Sequence, residues 1–381
     1  MFSFSRENTS LIAKWWRNID KQILFLFVFL LLLGLFFSFS STSSVVGEKM
    51  NKETYFFFIK HLIFVSISLF LLIAISIQEK NKLIKFLFFL FLISILLLFL
   101  VPMFGVEIKG SKRWLDFPLL PIFQPVELVK PLFIIFVAKI IVLNEKANIY
   151  RRYLYSFLVL LLIVIILINQ PDLGQTLLLA SVWITMVFVS GFDMVILLIL
   201  GLAFLSIITL LIFFFPEKFS YVFLRIKTFM DPKAGDNFQS QKALDAIKQG
   251  GLTGQGMGEG ILKDEVPEAH TDYIIAVVSE EFGAIFVLFI VTIFLFIGYK
   301  VFNKVFSEKN EFLKLALVGL VSLLIIQTFI HIGVNTRLLP TTGMTLPFLS
   351  YGGSSLIGSS IIAGIILNFT RKDSARYSEN D

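Results

Sequence analysis

The chain has 381 residues, 57% of them hydrophobic and 16% charged, with a mean hydropathy of +0.87. Soluble domains carry charged residues at near a quarter, and disordered chains combine low hydrophobicity with high net charge, so both classes are excluded. The formal charge of +6 is therefore a question of which side of a bilayer the charges occupy, not a sign of nucleic-acid binding.

Residues 1–22 are polar and basic and read as a cytoplasmic tail. Apolar runs follow at residues 23–40, 56–78, 83–104, 127–143, 153–169, 175–191, 194–215, 274–299, 312–333 and 350–369. A membrane-crossing helix needs about 20 apolar residues. The expected fold is thus an all-α polytopic membrane protein of about ten spans, filling residues 23–369, with residues 370–381 as a second tail. Only Gly191, Phe192 and Asp193 divide the sixth run from the seventh. No small-residue cleavage site follows the first run, which reads as an uncleaved anchor.

Lysines and arginines in short loops set the orientation. They gather at Arg6, Lys14, Arg17 and Lys21, then at Lys80, Lys82 and Lys85, then at Lys146, Arg151 and Arg152. They gather again at Lys300, Lys304, Lys309 and Lys314, and finally at Arg371, Lys372 and Arg376. These clusters alternate across the spans, so both termini are expected in the cytoplasm. The opposite loops hold the unusual polar segments: residues 110–114, 124–127 and 170–172, a long loop over 216–273 between the seventh and eighth spans, and residues 335–353. Chemistry would then lie outside the cytoplasm, where ATP is not available. A synthetic reaction there needs a substrate with its own activated leaving group, such as a lipid-linked diphosphate sugar. An outward-open transporter satisfies the same sidedness.

Without cysteine, disulfides, iron–sulfur clusters and thiolate zinc sites are out. Three histidines, His61, His270 and His331, make a His-rich metal site a poor fit, while a carboxylate-bound Mg or Mn ion stays open. Phosphate-cradling glycine motifs of nucleotide-binding folds are missing.

The long loop opens on Arg225 to Pro232, which reads as an interfacial helix, and continues with a short helix over residues 239–249. Gly250, Gly251, Gly254, Gly256, Gly258 and Gly260 follow. Such density means tight turns, close backbone approach to a ligand, or a flexible hinge. Thr271 or Asp272 then either caps the eighth span or presents a carboxylate at the membrane surface as a general base. Glu280 and Glu281 lie inside that span, about 80° and 180° around the helix from Asp272. They face a polar cavity or bind a basic residue of a neighbouring helix. Lys109, Lys112 and Arg113, with Lys130, Lys263 and Arg337, are the cations on offer to an anionic substrate. The competing explanations are lipid-headgroup anchoring and, for Lys130, an i,i+3 pair with Glu127. His331 and Asn335 read as inter-helix hydrogen-bonders, and Lys60 and His61 as snorkelling residues at an outer end.

These residues carry a resemblance. Lys109-Gly110-Ser111-Lys112-Arg113-Trp114, Gln124-Pro125-Val126-Glu127-Leu128-Val129-Lys130 and Gln170-Pro171-Asp172-Leu173-Gly174 are similar to motifs of the FtsW/RodA/SpoVE (SEDS) family of peptidoglycan polymerases. So are Pro267 to Tyr273, Glu280-Glu281-Phe282-Gly283, Leu339 to Gly343, Leu346 to Ser355 and Asn368 to Arg371. Residues Phe238 to Gly260, with Ser10-Leu11, Trp15-Trp16 and Ile19-Asp20, resemble the division-type members more than the elongation-type. Two departures stand out: Val126 replaces a serine of the family pattern, and Tyr273 a phenylalanine.

The resemblance implies a glycosyltransferase polymerising lipid II, with Asp272 as the family's essential aspartate. It implies substrate contacts from Arg113, Lys130, Lys263, Glu268, His270, Thr271, Arg337, Glu127 and Ser350. Glu280, Glu281, Gln124 and Asp172 would shape the cavity. The implied partners are a class B penicillin-binding transpeptidase and other division proteins, with septal placement in the bacterial cytoplasmic membrane. A lipid II flippase and a non-catalytic division scaffold are the alternatives.

Overall fold

The computed structural model describes residues 10–41, 55–108, 110–118, 121–143, 149–214, 220–231 and 237–372. Arg6, Lys109, Lys146, Arg376 and parts of the 216–273 loop lie outside them. In chain order the elements are α1 (Leu11–Asn18), α2 (Lys21–Ser41), α3 (Phe56–Ile77), α4 (Lys80–Phe104), β1 (Val106–Ile108), β2 (Ser111–Trp114), α5 (Val126–Leu143), α6 (Ile149–Asn169) and α7 (Leu173–Val189). Then come α8 (Met194–Phe214), α9 (Ser220–Met230), α10 (Phe238–Gly250), α11 (Ile274–Ser307), α12 (Glu311–Asn335) and α13 (Gly353–Thr370).

All ten expected apolar runs are helices. Seven of them (α2, α3, α4, α6, α11, α12 and α13) are long and apolar enough to cross a membrane. Of the other three, α5 carries Glu127, Lys130 and Lys139, α7 has only 17 residues, and α8 covers the seventh run. Most of α12 and α13 is buried, whereas most residues of α3 and α4 are only half-buried or exposed. The buried pair forms the middle of the bundle: α13 packs on α3 and α5, and α12 packs on α11, α7 and α5.

Two elements were not legible in the hydropathy. The basic tail contains α1, whose Trp15 is buried and donates its indole N–H to Ser76 Oγ at 3.0 Å. Between α4 and α5 the chain forms a small antiparallel hairpin, β1 with β2, turned at Gly110 where φ is +75°. The expected helices of the long loop are present as α9 and α10.

At the other end of the bundle, the Asn368-to-Arg371 motif closes the last turn of α3. Asn368 Nδ2 donates to Ile75 O at 3.1 Å and Gln78 O at 2.7 Å, and Arg371 donates to Ser76 O and Ile77 O at 3.0 Å. These are the terminal carbonyls a helix leaves unsatisfied.

The glycine-rich segment lays its backbone against α11. The backbone of α11 breaks at Gly283 (φ 80°, ψ 172°), a conformation reserved for glycine. The break frees peptide groups inside a span, where each must find a partner within the protein. The segment supplies them. Gln255 N donates to Glu280 O at 2.8 Å and Gly256 N to Glu281 O at 3.0 Å, while Ala284 N and Ile285 N donate to Gly251 O and Leu252 O at 3.0 and 3.2 Å. The approach needs bare backbone: a Cβ on Gly250 would lie 1.9 Å from Ser279 O, one on Gly254 2.2 Å from Glu281 O, and one on Gly283 2.2 Å from Leu252 O.

Gly283→Ala is expected to destabilise the protein by about 1–3 kcal/mol from backbone strain alone, with the collision at Leu252 added. A thermal unfolding midpoint in detergent unchanged from wild type would contradict this description of the break.

Candidate active site

Strand alternation builds the first half of the site. In β2 the side chain of Lys112 is exposed and that of Arg113 is buried. The Arg113 guanidinium reaches the turn before α7: Nε donates to Gln170 O at 3.2 Å, Nη2 donates to Pro171 O, and Nη1 stands 3.7 Å from Asp172 Oδ1. Asp172 is the N-cap of α7 and accepts from Gln175 N at 3.4 Å. Burial pushes its carboxyl above the usual range, and the Arg113 charge offsets only part of that rise.

The second half is the turn leading into α11. Its N-cap position belongs to Tyr273, with no side-chain cap hydrogen bond, so neither Thr271 nor Asp272 occupies it. The turn is held by its carbonyls instead. Ser350 Oγ donates to Thr271 O at 2.7 Å, and Asn335 Nδ2 donates to Asp272 O at 3.0 Å. Within it, Thr271 Oγ1 donates to Glu268 Oε2 at 2.9 Å. Burial raises the Tyr273 phenol above its ordinary range, reinforced by the Asp272 charge.

Both halves open into one cavity of about 920 Å³ at the end of the bundle that carries the hairpin. Asp272, Arg113, Glu268, Thr271 and Gln124 line it, with Lys60 and Arg225. Gly343 stands between the two charged groups. A Cβ built on it would lie 3.6 Å from Asp272 Oδ2 and 3.8 Å from Arg113 Nη1. A carboxylate and a guanidinium therefore both face the small space that the missing side chain of residue 343 leaves open. One wall is apolar, built by Ile63, Phe64 and Ile67 of α3.

The remaining residues singled out by sequence lie elsewhere. Lys130 is buried; its Nζ stands 2.9 Å from Glu127 Oε1 and donates to Gln327 Oε1 at 3.0 Å, so the i,i+3 pair is its role in the fold. Glu127 also accepts from Gln175 Nε2 at 3.1 Å. Lys263 pairs with Glu281, which accepts from Ser40 Oγ as well. The basic partner of the intramembrane carboxylates thus comes from the loop and not from a neighbouring helix. Glu280 accepts from Leu262 N at 2.7 Å. Arg337 donates to Gln241 Oε1 at 2.8 Å and ties α12 to α10.

His270 packs its ring on Phe57 at 5.1 Å and Tyr351 at 5.6 Å. Burial raises the Tyr351 phenol. His61 does not snorkel; it is fully buried, 5.7 Å from the Tyr351 ring. Asn335 and His331 bond loop carbonyls, those of Asp272 and Met344, rather than another helix. Sequence reasoning passed over Lys60, Arg225 and the segment Thr341, Gly343, Met344 and Thr345 as cavity residues. Only the last had a signal, the outer-loop motif around Gly343.

Fold and site describe a multi-pass membrane protein whose functional polar groups converge at one end of the bundle. The family model for the cell cycle proteins FtsW, RodA and SpoVE matches residues 21–375, and the chain belongs to that family. It is 32% identical to the probable peptidoglycan glycosyltransferase FtsW of Caulobacter vibrioides, across 98% of this chain and 95% of that one. It is 38% identical to the corresponding protein of Geobacter metallireducens, across 73% and 74%. The crystal structure of the Thermus thermophilus rod shape determining protein RodA superposes with a TM-score of 0.68 at 25% identity, covering 93% of this chain and 97% of that one. A chain of a peptidoglycan synthase complex that coordinates polymerization and crosslinking shares the fold with a TM-score of 0.75 at 24% identity, covering 95% and 99%.

Lys263→Met would leave the Glu281 carboxylate buried without its cation, at a cost of about 3–5 kcal/mol. The thermal midpoint should fall, and Lys263→Met with Glu281→Gln should recover part of the loss. An unchanged midpoint in the single variant would contradict a structural role for the pair.

Proposed function

We propose that this protein is a peptidoglycan glycosyltransferase that polymerises lipid II at the extracytoplasmic face of the bacterial cytoplasmic membrane, during septal division. The observation that carries the reading is the convergence of the Asp272 carboxylate and the Arg113 guanidinium on Gly343 inside a cavity with one apolar wall. The names of the relatives support the reaction class, and the alternation of basic loops supports cytoplasmic termini and an outward-facing cavity.

In the reaction the 4-hydroxyl oxygen of an acceptor N-acetylglucosamine attacks C1 of a donor N-acetylmuramic acid. The C1–O bond to undecaprenyl diphosphate breaks, and that diphosphate leaves with the bonding electron pair. One displacement inverts α to β, so a single base suffices. Asp272 takes the hydroxyl proton. Arg113 offers Nη1 to diphosphate oxygens as charge builds on the leaving group. Ser350 and Asn335 hold the two carbonyls flanking the base and so fix its approach.

Asp272 and Glu268, both lining the cavity, are the carboxylates that would hold a Mg or Mn ion. Such an ion would neutralise leaving-group charge. Among the described residues no cluster of three His, Asp or Glu side chains is placed to bind a metal by itself. The partner that fits is a class B penicillin-binding transpeptidase crosslinking the new glycan, alongside other division proteins.

Glycan formation from fluorescent lipid II is the test, using purified protein with its transpeptidase partner, whose active-site serine is inactivated. Wild type should give long strands. Asp272→Ala should lose activity by at least about 10²-fold, the low end for a general base, while still binding its partner. Equal polymer from both would remove Asp272 as the base and turn the search to Glu268, Glu280 and Glu281, whereas no polymer from wild type would favour a flippase or a scaffold.

A further inference from the structure

The cations that sequence alone would offer to a diphosphate are mostly occupied. Lys130 and Lys263 are paired and buried, Arg337 bonds Gln241, and Arg113 spends Nε and Nη2 on carbonyls. Lys60 differs. It is exposed, lines the cavity, and its Nζ sits 4.5 Å from the centroid of the Phe56 ring. Among the described residues this ammonium makes no hydrogen bond and no ion pair.

Lys60 heads a stripe. Ile63, Phe64 and Ile67 follow it at i+3, i+4 and i+7, one face of a helix, and all four line the cavity. Ile63 is 54% exposed and Ile67 41%, so the apolar part of the stripe is open rather than packed into the core. Polarity thus runs along α3 from a cation at its first turn to aliphatic surface deeper in the span. The stripe is also fixed relative to the candidate base. Phe57 packs on His270 at 5.1 Å, His61 on Tyr351 at 5.7 Å, and Tyr351 N donates to His270 O at 2.9 Å. Two residues after His270 comes Asp272.

We propose that Lys60 receives the diphosphate of the prenyl-linked substrate together with Arg113 Nη1, with the prenyl chain lying along Ile63, Phe64 and Ile67. This rests on the glycosyltransferase reading and names a positioning residue for it. A prenyl diphosphate matches the stripe in order: two phosphates at the cation, hydrocarbon below, and the sugar directed toward Asp272. The diphosphate is charged both in the bound substrate and in the leaving group. Its contact with Lys60 is therefore made in the ground state and the transition state alike, and its removal raises KM more than it lowers kcat. An anionic phospholipid shares the chemistry of a phosphate above a hydrocarbon chain, and the test separates the two.

Wild type, Lys60→Gln and Lys60→Arg would be placed in nanodiscs of zwitterionic lipid. Binding of undecaprenyl diphosphate would be titrated with and without phosphatidylglycerol, and lipid II kinetics measured in parallel. Lys60→Gln should weaken undecaprenyl diphosphate binding about tenfold, the loss of one charge-assisted contact. It should raise the KM for lipid II by a similar factor, with kcat within about twofold, and Lys60→Arg should restore most of both. Unchanged binding in Lys60→Gln would overturn the proposal. So would phosphatidylglycerol displacing the diphosphate at equal concentration, since Lys60 would then be a general headgroup anchor. Lys60-dependent binding in a wild type that makes no glycan would uphold this contact while removing the polymerase reading.

Discussion

The backbone of α11 breaks at Gly283 within a span, and the chain cannot leave the freed peptide groups to lipid. Four loop hydrogen bonds from residues 251–256 close the gap. The remainder of the loop follows from that closure. Lys263 arrives at Glu281, Leu262 N at Glu280, and the chain turns through Glu268 to Asp272 before re-entering the helix. The first part of α11, Ile274 to Glu281, is buried throughout. The candidate base thus sits at the start of a short helical piece held on one side by the loop and on the other by Asn335 of α12 and by Ser350.

The charges divide into two populations with different consequences. Glu127–Lys130 and Lys263–Glu281 are buried and matched, and their exact registry ties α5 to α7 and α12, and the loop to α11. Buried pairs of this kind contribute little net stability, yet breaking one is costly, which makes them effective at specifying arrangement. Asp272, Glu268, Arg113 and Lys60 instead face the cavity. Separating structural from substrate-facing charge leaves few groups to meet an anionic substrate, and these lie along one path from α3 to Gly343.

The spans were legible because a bilayer imposes length and hydropathy on each segment independently; α3 and α12 match the expected runs to within about two residues, the usual scatter of helix ends. Asp272, Arg113 and Glu268 were also legible, since their motifs are local. Other features depend on partners distant in sequence. The glycines of residues 250–260 read equally as hinge or cradle until Ser279 to Gly283 are seen against them. Lys263 looks like a free outer cation because Glu281 lies across the break. Lys60 looks like a snorkelling residue because its use depends on the cavity that Tyr351, Gly343 and the hairpin enclose with α3. The hairpin itself was hidden by its length and by the charges of Glu107, Lys112 and Arg113.

The proposed chemistry requires the cavity at Gly343 to bring an acceptor hydroxyl to Asp272. The most direct measurement is a structure of the protein with its transpeptidase partner and a lipid II analogue that cannot transfer its sugar. The acceptor 4-hydroxyl is expected within about 2.6–3.2 Å of an Asp272 carboxylate oxygen, with the donor C1 beyond it and the diphosphate between Arg113 and Lys60. A sugar bound away from Gly343, or a hydroxyl facing Glu268 while Asp272 is turned from the cavity, would contradict it.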